Sequence, residues 1–310
     1  MLNLQSLPRN LHSVLLFHVA VLMLLFIEPV IGAQGTSIVE VNGNPITEQD
    51  LQIQFLTRNI PSDQQAGLRE QFLNDLIDQR LMQEYLQEQK VKLNETRVQE
   101  SLSKVYKIIR EANRDPEEVL QNLGLTEQML RKELMLPLAW EVHMEQKVTP
   151  ELLHRFYEKN QNKFDGTELR LRQIFLKVNT IEEEEPALHK LDQIRQQIVS
   201  GQLPFEEAAQ RFSQAPTAKN GGDLGFVPYQ GQMPITITAP AFERGKGELT
   251  APFLSPFGAH LIQVIDVKPG ELSLEDVRTE VWQAMSETVW NNIITARRET
   301  AEIKWAGPSR

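Results

Sequence analysis

The period of the apolar residues changes near residue 165 of this chain, and that change decides what it can fold into. Before Phe164-Asp165-Gly166 the apolar residues recur at helical spacing, whereas from Glu168 to Val178 they alternate. A helix repeats its faces about every 3.6 residues and a strand about every 2. The chain therefore joins a helical part to a sheet-bearing part, an α+β arrangement. In the helical part, 34–165, Ile38 to Val41 reads as a short strand closed by Asn42-Gly43, a dipeptide that tolerates positive φ. Thr47-Glu48-Gln49-Asp50 has the capping-box pattern that opens a helix. Leu73, Leu76, Ile77, Leu81 and Tyr85 mark one apolar helix face. Asn94, Thr126 and Thr149-Pro150 open further helices, and Gly124 closes one.

Beyond Gly166 the spacing predicts a strand over 168–178 and two helices, one carrying Leu191, Ile194 and Ile198, the other Phe205, Ala208, Ala209 and Phe212. A glycine-rich loop, Gly221 to Gly225, precedes two more strands, around Pro252 and from His260 to Val267. Ser273-Leu274-Glu275-Asp276 caps a last helix with the stripe Val277, Val281, Met285, Val289, Ile293. Each such side chain contributes about 1.5–3 kcal/mol when fully buried, so the stripe must find a partner. The sheet-bearing part already has helices of its own. The last segment, 270–310, is therefore expected to complete the helical part, with 166–269 as a separate module.

Lysine and arginine number 32 against 42 acidic residues, a net charge of −10, and there is no cysteine. Nucleic acid needs a basic face, so it is not an expected partner. Disulfides, thiolate metal sites and cysteine nucleophiles are excluded. No HExxH pair, GxSxG elbow or phosphate-binding glycine loop occurs, and neither metal nor cofactor is expected. Arg9 precedes an apolar run from Val14 to Ile27, followed by Glu28-Pro29 and the small residues Gly32-Ala33. That is the layout of a secretory signal over 1–33. A retained membrane anchor is the other reading, but the run is short of the roughly 20 residues a spanning helix needs. Export to a periplasmic or other extracytoplasmic space is expected, without stable membrane insertion once the segment is cut.

Four segments in order carry a family resemblance: Arg172-Gln173-Ile174-Phe175-Leu176; Gly201 to Ala209 with Phe212-Ser213; Gly221-Gly222-Asp223-Leu224-Gly225-Phe226; and Ser255-Pro256-Phe257-Gly258-Ala259-His260-Leu261-Ile262. Together they resemble the parvulin (rotamase) peptidyl-prolyl isomerase domain. The flanks, including Val39 to Thr47, resemble those of SurA- and PrsA-type exported foldases. The resemblance implies a small antiparallel sheet surrounded by helices, behind a helical chaperone domain that the C-terminal helix completes. It also implies unfolded or proline-containing polypeptide clients.

Residue by residue, the resemblance makes His260 the functional histidine, and Leu224, Met233 and Phe242 the apolar proline pocket. Ile237 stands where the family often has an aromatic. Read without the family, these apolar residues are equally ordinary core, and a lone histidine in a strand is more often a hydrogen-bonded core group. Gln173 replaces the family's first-strand histidine and could hold His260 in one tautomer. Ala215 replaces a polar or thiol residue, leaving Thr217 nearby as a hydroxyl candidate. Gly222 and Gly225 allow backbone that a Cβ would obstruct, and Asp223 between them is expected to fix the loop. The reading is a prolyl isomerase weakened at two positions; the alternative is a chaperone whose module only binds chains.

Overall fold

The structure, a computed structural model, describes residues 37–58 and 60–306. The secretory-signal expectation for 1–33 lies outside the described residues. β1 (Ser37–Val41) and β2 (Asn44–Thr47) form a hairpin turned by Asn42 and Gly43, with φ of 50° and 79°. Positive φ at both positions is what a two-residue hairpin turn requires. Thr47 caps α1 (Glu48–Thr57): its Oγ1 accepts from Asp50 N while Asp50 Oδ2 accepts from Thr47 N. α2 (Ser62–Glu88), α3 (Glu95–Glu111), α4 (Pro116–Asn122) and α5 (Glu127–Lys147) follow. Asn94, Asp115 and Thr126 cap the last three through their side chains. Next come α6 (Pro150–Lys159), the single turn α7 (Gln161–Phe164), β3 (Glu168–Lys177), α8 (Glu184–Val199) and α9 (Phe205–Phe212). The remaining elements are β4 (Asp223–Pro228), α10 (Ile235–Phe242), β5 (Phe253–Ser255), β6 (Gly258–Lys268), α11 (Arg278–Thr300) and β7 (Ile303–Trp305). Among the described residues no helix is long and apolar enough to cross a membrane.

The chain divides into two compact units, one running to Leu152 and resuming at Trp282, the other spanning Leu153–Val281. In the first, a three-stranded antiparallel sheet has the order β2-β1-β7. Its main core gathers Leu73, Ile77, Leu81, Trp140 and Met144 with Trp290 and Ile294 of α11. Both ends of the chain thus share one core. Trp140 Nε1 donates to Ser286 Oγ at 2.9 Å, and Arg298 Nη2 donates to the Asn74 carbonyl at 3.1 Å. Val277 and Val281 are buried as expected, but further along α11 the buried residues are Ser286, Trp290 and Ile294, one position beyond the expected Met285, Val289 and Ile293, which are only half-buried. Each i→i+4 step overshoots a helical turn by about 40°, so a stripe of such steps slides round the helix. A second core joins Val98, Leu102, Val105 and Ile109 of α3 to Leu130, Leu134 and Leu138 of α5.

The second unit is built on a four-stranded antiparallel sheet of order β4-β3-β6-β5. One face packs Ile174, Leu176, Ala259 and Leu261 against α8 and α9. The other packs Leu169, Leu171, Ile262 and Val264 against α10. The unit begins before the sequence boundary at 165/166 and ends after 269, because hydrogen bonds to backbone carbonyls tie both margins to it. Leu272 N donates to the Asp165 carbonyl at 2.9 Å, Tyr157 Oη donates to the Leu272 carbonyl, and Asn162 Nδ2 donates to the Phe242 carbonyl at 3.0 Å. Ser273 and Asp276 bond to each other as a cap would, with Ser273 N 2.8 Å from Asp276 Oδ2, but regular helix begins only at Arg278.

Candidate functional site

The site lies on the α10 face of the second sheet and is laid out by strand register. His260 on β6 stands directly opposite Phe175 on β3 and Phe253 on β5. Directly opposed side chains on one sheet face lie within contact, and here they form a row of three rings. The His260 ring centroid is 5.0 Å from that of Phe175 and 5.4 Å from that of Phe253, stacked on the latter. His260 is only 3% exposed. Burial between two apolar rings disfavours its charged form and brings its pKa down to about 4. At neutral pH it is an uncharged imidazole.

Its hydrogen-bond partner is Ser255, not Gln173. Ser255 Oγ lies 2.7 Å from His260 Nε2 and also accepts the backbone N–H of Phe257 at 3.1 Å. The turn Pro256-Phe257 between Ser255 and Gly258 brings this hydroxyl back over the histidine. His260 Nδ1 is buried and has no partner within the protein among the described residues. Gln173 is opposite Ile262, one row along the same face, and makes no hydrogen bond to His260. Phe175, Phe253 and Ser255 are site residues that sequence reasoning did not assign. Period-2 alternation puts Phe175 on a face but does not say which β6 residue it meets.

Leu224, Met233, Ile237 and Phe242 come together in one cluster with Phe253. Ile237 and Phe242 are buried, while Leu224 and Met233 are half-buried and line its open side. Tyr229 adds a ring edge-on to Phe242 at 5.1 Å. α10 supplies Ile237 and Phe242, and the buried Thr238 fixes it by donating to the Tyr229 carbonyl at 2.7 Å.

The loop after α9 is held by hydrogen bonds to the backbone of β3. Ser213 Oγ accepts from Phe175 N at 3.1 Å, Gln214 N donates to the Phe175 carbonyl at 2.8 Å, and Lys177 N donates to Gln214 Oε1 at 2.6 Å. Ala215 is buried beside this strip. Thr217 Oγ1 is buried without a hydrogen-bond partner among the described residues. Gly222, at φ +81°, lies so close to β3 that a Cβ would sit 2.3 Å from the Gln173 carbonyl oxygen. Gly225 follows at φ +72°. Asp223 accepts from Gly225 N at 3.0 Å and from Arg170 Nη2 at 2.8 Å. The Arg170 guanidinium holds the Asp223 carboxyl below its usual range.

Parts of the sequence match known families and proteins. Residues 174–266 match the PPIC-type PPIASE domain of the rotamase family, and residues 4–142 match the SurA-like N-terminal domain. Chaperone SurA of Bordetella pertussis is 36% identical over 122 residues, which is 39% of this chain and 23% of that protein. A putative peptidyl-prolyl cis-trans isomerase SurA of Haemophilus influenzae is 29% identical over 151 residues, 46% of this chain and 47% of that one. The chain thus spans less than half the length of these curated relatives. The crystal structure of the peptidylprolyl isomerase PrsA from Bacillus anthracis overlaps 73% of this chain and 95% of its own, at 20% identity and a TM-score of 0.42. Two domain families are therefore joined in one polypeptide: the chain carries a SurA-like N-terminal domain and a parvulin-type, PPIC-type rotamase domain.

Proposed function

We propose that the second unit catalyses cis–trans isomerisation of X–Pro bonds and that the first holds unfolded segments, so that the protein assists the folding of exported polypeptides. The observation that carries this reading is the apolar cup of Leu224, Met233, Ile237 and Phe242, joined through Phe253 to a buried, neutral His260. Rotation about a peptide bond faces a barrier of about 18–20 kcal/mol because conjugation is lost at the twist. No bond to carbon or nitrogen breaks, so no nucleophile is needed. The cup seats the proline ring away from water. Polar groups that bind the twisted amide better than the planar one then lower the barrier.

His260 supplies such a group. Ser255 Oγ already accepts the Phe257 N–H, so its own hydrogen is available for His260 Nε2. In the tautomer in which Ser255 Oγ donates to Nε2, the ring proton sits on Nδ1, a buried atom with no partner among the described residues. In that tautomer Nδ1–H is the donor the ring would offer a substrate amide, once binding uncovers it. Gln173 and Thr217 are the auxiliary polar groups; Ala215 offers none. Gly222, Asp223 and Gly225 hold the loop that carries Leu224.

The relatives named as chaperone SurA support a client-holding role for the helical unit, with unfolded polypeptides as partners. The N-terminal apolar run supports an extracytoplasmic location, and N-terminal sequencing of protein from its native host checks cleavage after Ala33. The catalytic claim is tested by adding the full chain to a Phe-Pro tetrapeptide in a protease-coupled assay. Acceleration of the slow cis phase is expected. No acceleration at any protein concentration would leave a binding module with the parvulin fold.

A further inference from the structure

The first unit carries an open cavity of about 530 Å³ where its two cores fail to close on each other. Leu86 and Leu136 belong to one core and Val98 to the other, and all three line the cavity. α5 serves both cores: Leu136, Trp140 and Met144 face one, Leu130, Leu134 and Leu138 the other. Met135 stands between these two faces, lines the cavity and is 47% exposed. An unbranched, polarizable side chain at an exposed apolar position suits a surface that adapts to different occupants.

The charge around this cavity opposes that of the chain. Arg80, Arg131 and Lys132 line it against a single carboxylate, Glu95, although the chain as a whole carries −10. Arg131 is ion-paired with Glu95, and Lys132 lies 3.9 Å from Asp50. Arg80 makes no ion pair among the described residues; its guanidinium donates to the Pro45 carbonyl at 3.1 Å. An acidic chain repels acidic segments everywhere except where it gathers cations. Such local complementarity mainly sets selectivity.

We propose that this cavity binds extended polypeptide segments in which apolar residues are flanked by aspartate or glutamate. Apolar side chains lie against Leu86, Val98, Met135 and Leu136, and a carboxylate of the segment pairs with Arg80. The proposal rests on the client-holding role of the helical unit and assigns that role a place and a substrate class.

The test uses the full chain and two short fluorescein-labelled peptides, one alternating Leu and Phe with Glu, its twin carrying Lys for every Glu. Anisotropy titrations at low salt should show the acidic peptide binding about two- to fivefold tighter, the scale of one exposed ion pair, with the gap narrowing as salt is raised. Arg80→Gln should abolish the preference and Arg80→Glu should reverse it. Met135→Lys should weaken the acidic peptide's apolar contacts but not its preference over the twin. All four tryptophans belong to this unit, so their fluorescence verifies that each variant is folded. Equal affinity for the two peptides, or a preference that survives Arg80→Gln, would overturn the proposal. The same samples are scored for suppressing aggregation of a denatured client: suppression without the preference leaves the chaperone reading standing at another site, and absence of suppression removes that reading too. A wild-type dimer that Met135→Lys converts to a monomer in sedimentation would make the cavity a contact between copies, and would also overturn the proposal.

Discussion

His260 is where burial decides chemistry. Its folded pKa of about 4 lies below the roughly 6.5 of an exposed histidine. Between those values the unfolded chain binds the extra proton and the folded chain does not. Stability therefore falls as pH drops from about 6.5 towards 4 and is unaffected by this group above that window. From pH 7 to pH 5 the contribution is a loss of roughly 1–2 kcal/mol. Hydrogen exchange of the β6 amides should report that loss in the wild type, and His260→Gln should remove it. Turnover, in contrast, should stay level from pH 8 to pH 6, because the imidazole is neutral throughout; an inflection near 6.5 would contradict the assignment. Ser255→Ala removes the hydrogen bond to His260, worth about 0.5–1.5 kcal/mol, together with the one from Phe257 N. It should slow turnover about two- to tenfold without unfolding the module. The family motifs pointed to His260 and to Leu224, Met233, Ile237 and Phe242, which the structure gathers around Phe253. Ser255 stood in the same motif without a role, because its reach to His260 depends on a turn geometry that residue spacing does not specify.

At the level of elements, α11 shows what periodicity conveys and what it misses. That a terminal apolar helix must pack on the helical part followed from its stripe; which side chains go deepest did not, because the stripe drifts around the helix. Trp290 is buried, and its Nε1 has no hydrogen-bond partner among the described residues. Trp290→Phe keeps most of the apolar body and removes an unsatisfied donor, so it should cost under about 1.5 kcal/mol. Trp290→Ala opens a cavity and should cost about 3–5 kcal/mol. Thermal unfolding followed by the three remaining tryptophans separates the two variants. α10 was not legible at all. Ile235, Thr236, Ile237 and Thr238 are β-branched and Pro240 breaks the helical ladder, so local preference opposes a helix there. Burial of Ile237, Ala241 and Phe242 outweighs that preference. β7 escaped notice for a different reason: three residues carry no measurable period, and only pairing with β1 makes them a strand. The glycine loop reads in the sequence as backbone that a Cβ would obstruct; Gly222 and Gly225 both have positive φ, but only Gly222 of the two also packs tightly, against β3. Gly222→Ala would drive a Cβ into the Gln173 carbonyl and should strip exchange protection from β3 and β4.

The whole molecule places two capacities in two units, and single substitutions in the full chain can separate them. Loss of the cup or the histidine should leave aggregation suppression by the helical unit intact, since its cores contain neither. The division into a helical and a sheet-bearing part was visible in the change of period near Gly166. The margins were not, since Tyr157 and Leu272 join the second unit through bonds with no sequence signature. The central claim is that the cup and His260 together accelerate X–Pro rotation. Exchange NMR on a Phe-Pro peptide measures that rotation directly with wild type, His260→Ala and Phe242→Ala, and the amide spectrum of each protein verifies its fold. Clear catalysis by the wild type and a loss of about tenfold or more in both folded variants, the scale of 1.4 kcal/mol, is the predicted result. A folded His260→Ala protein with full turnover would contradict it.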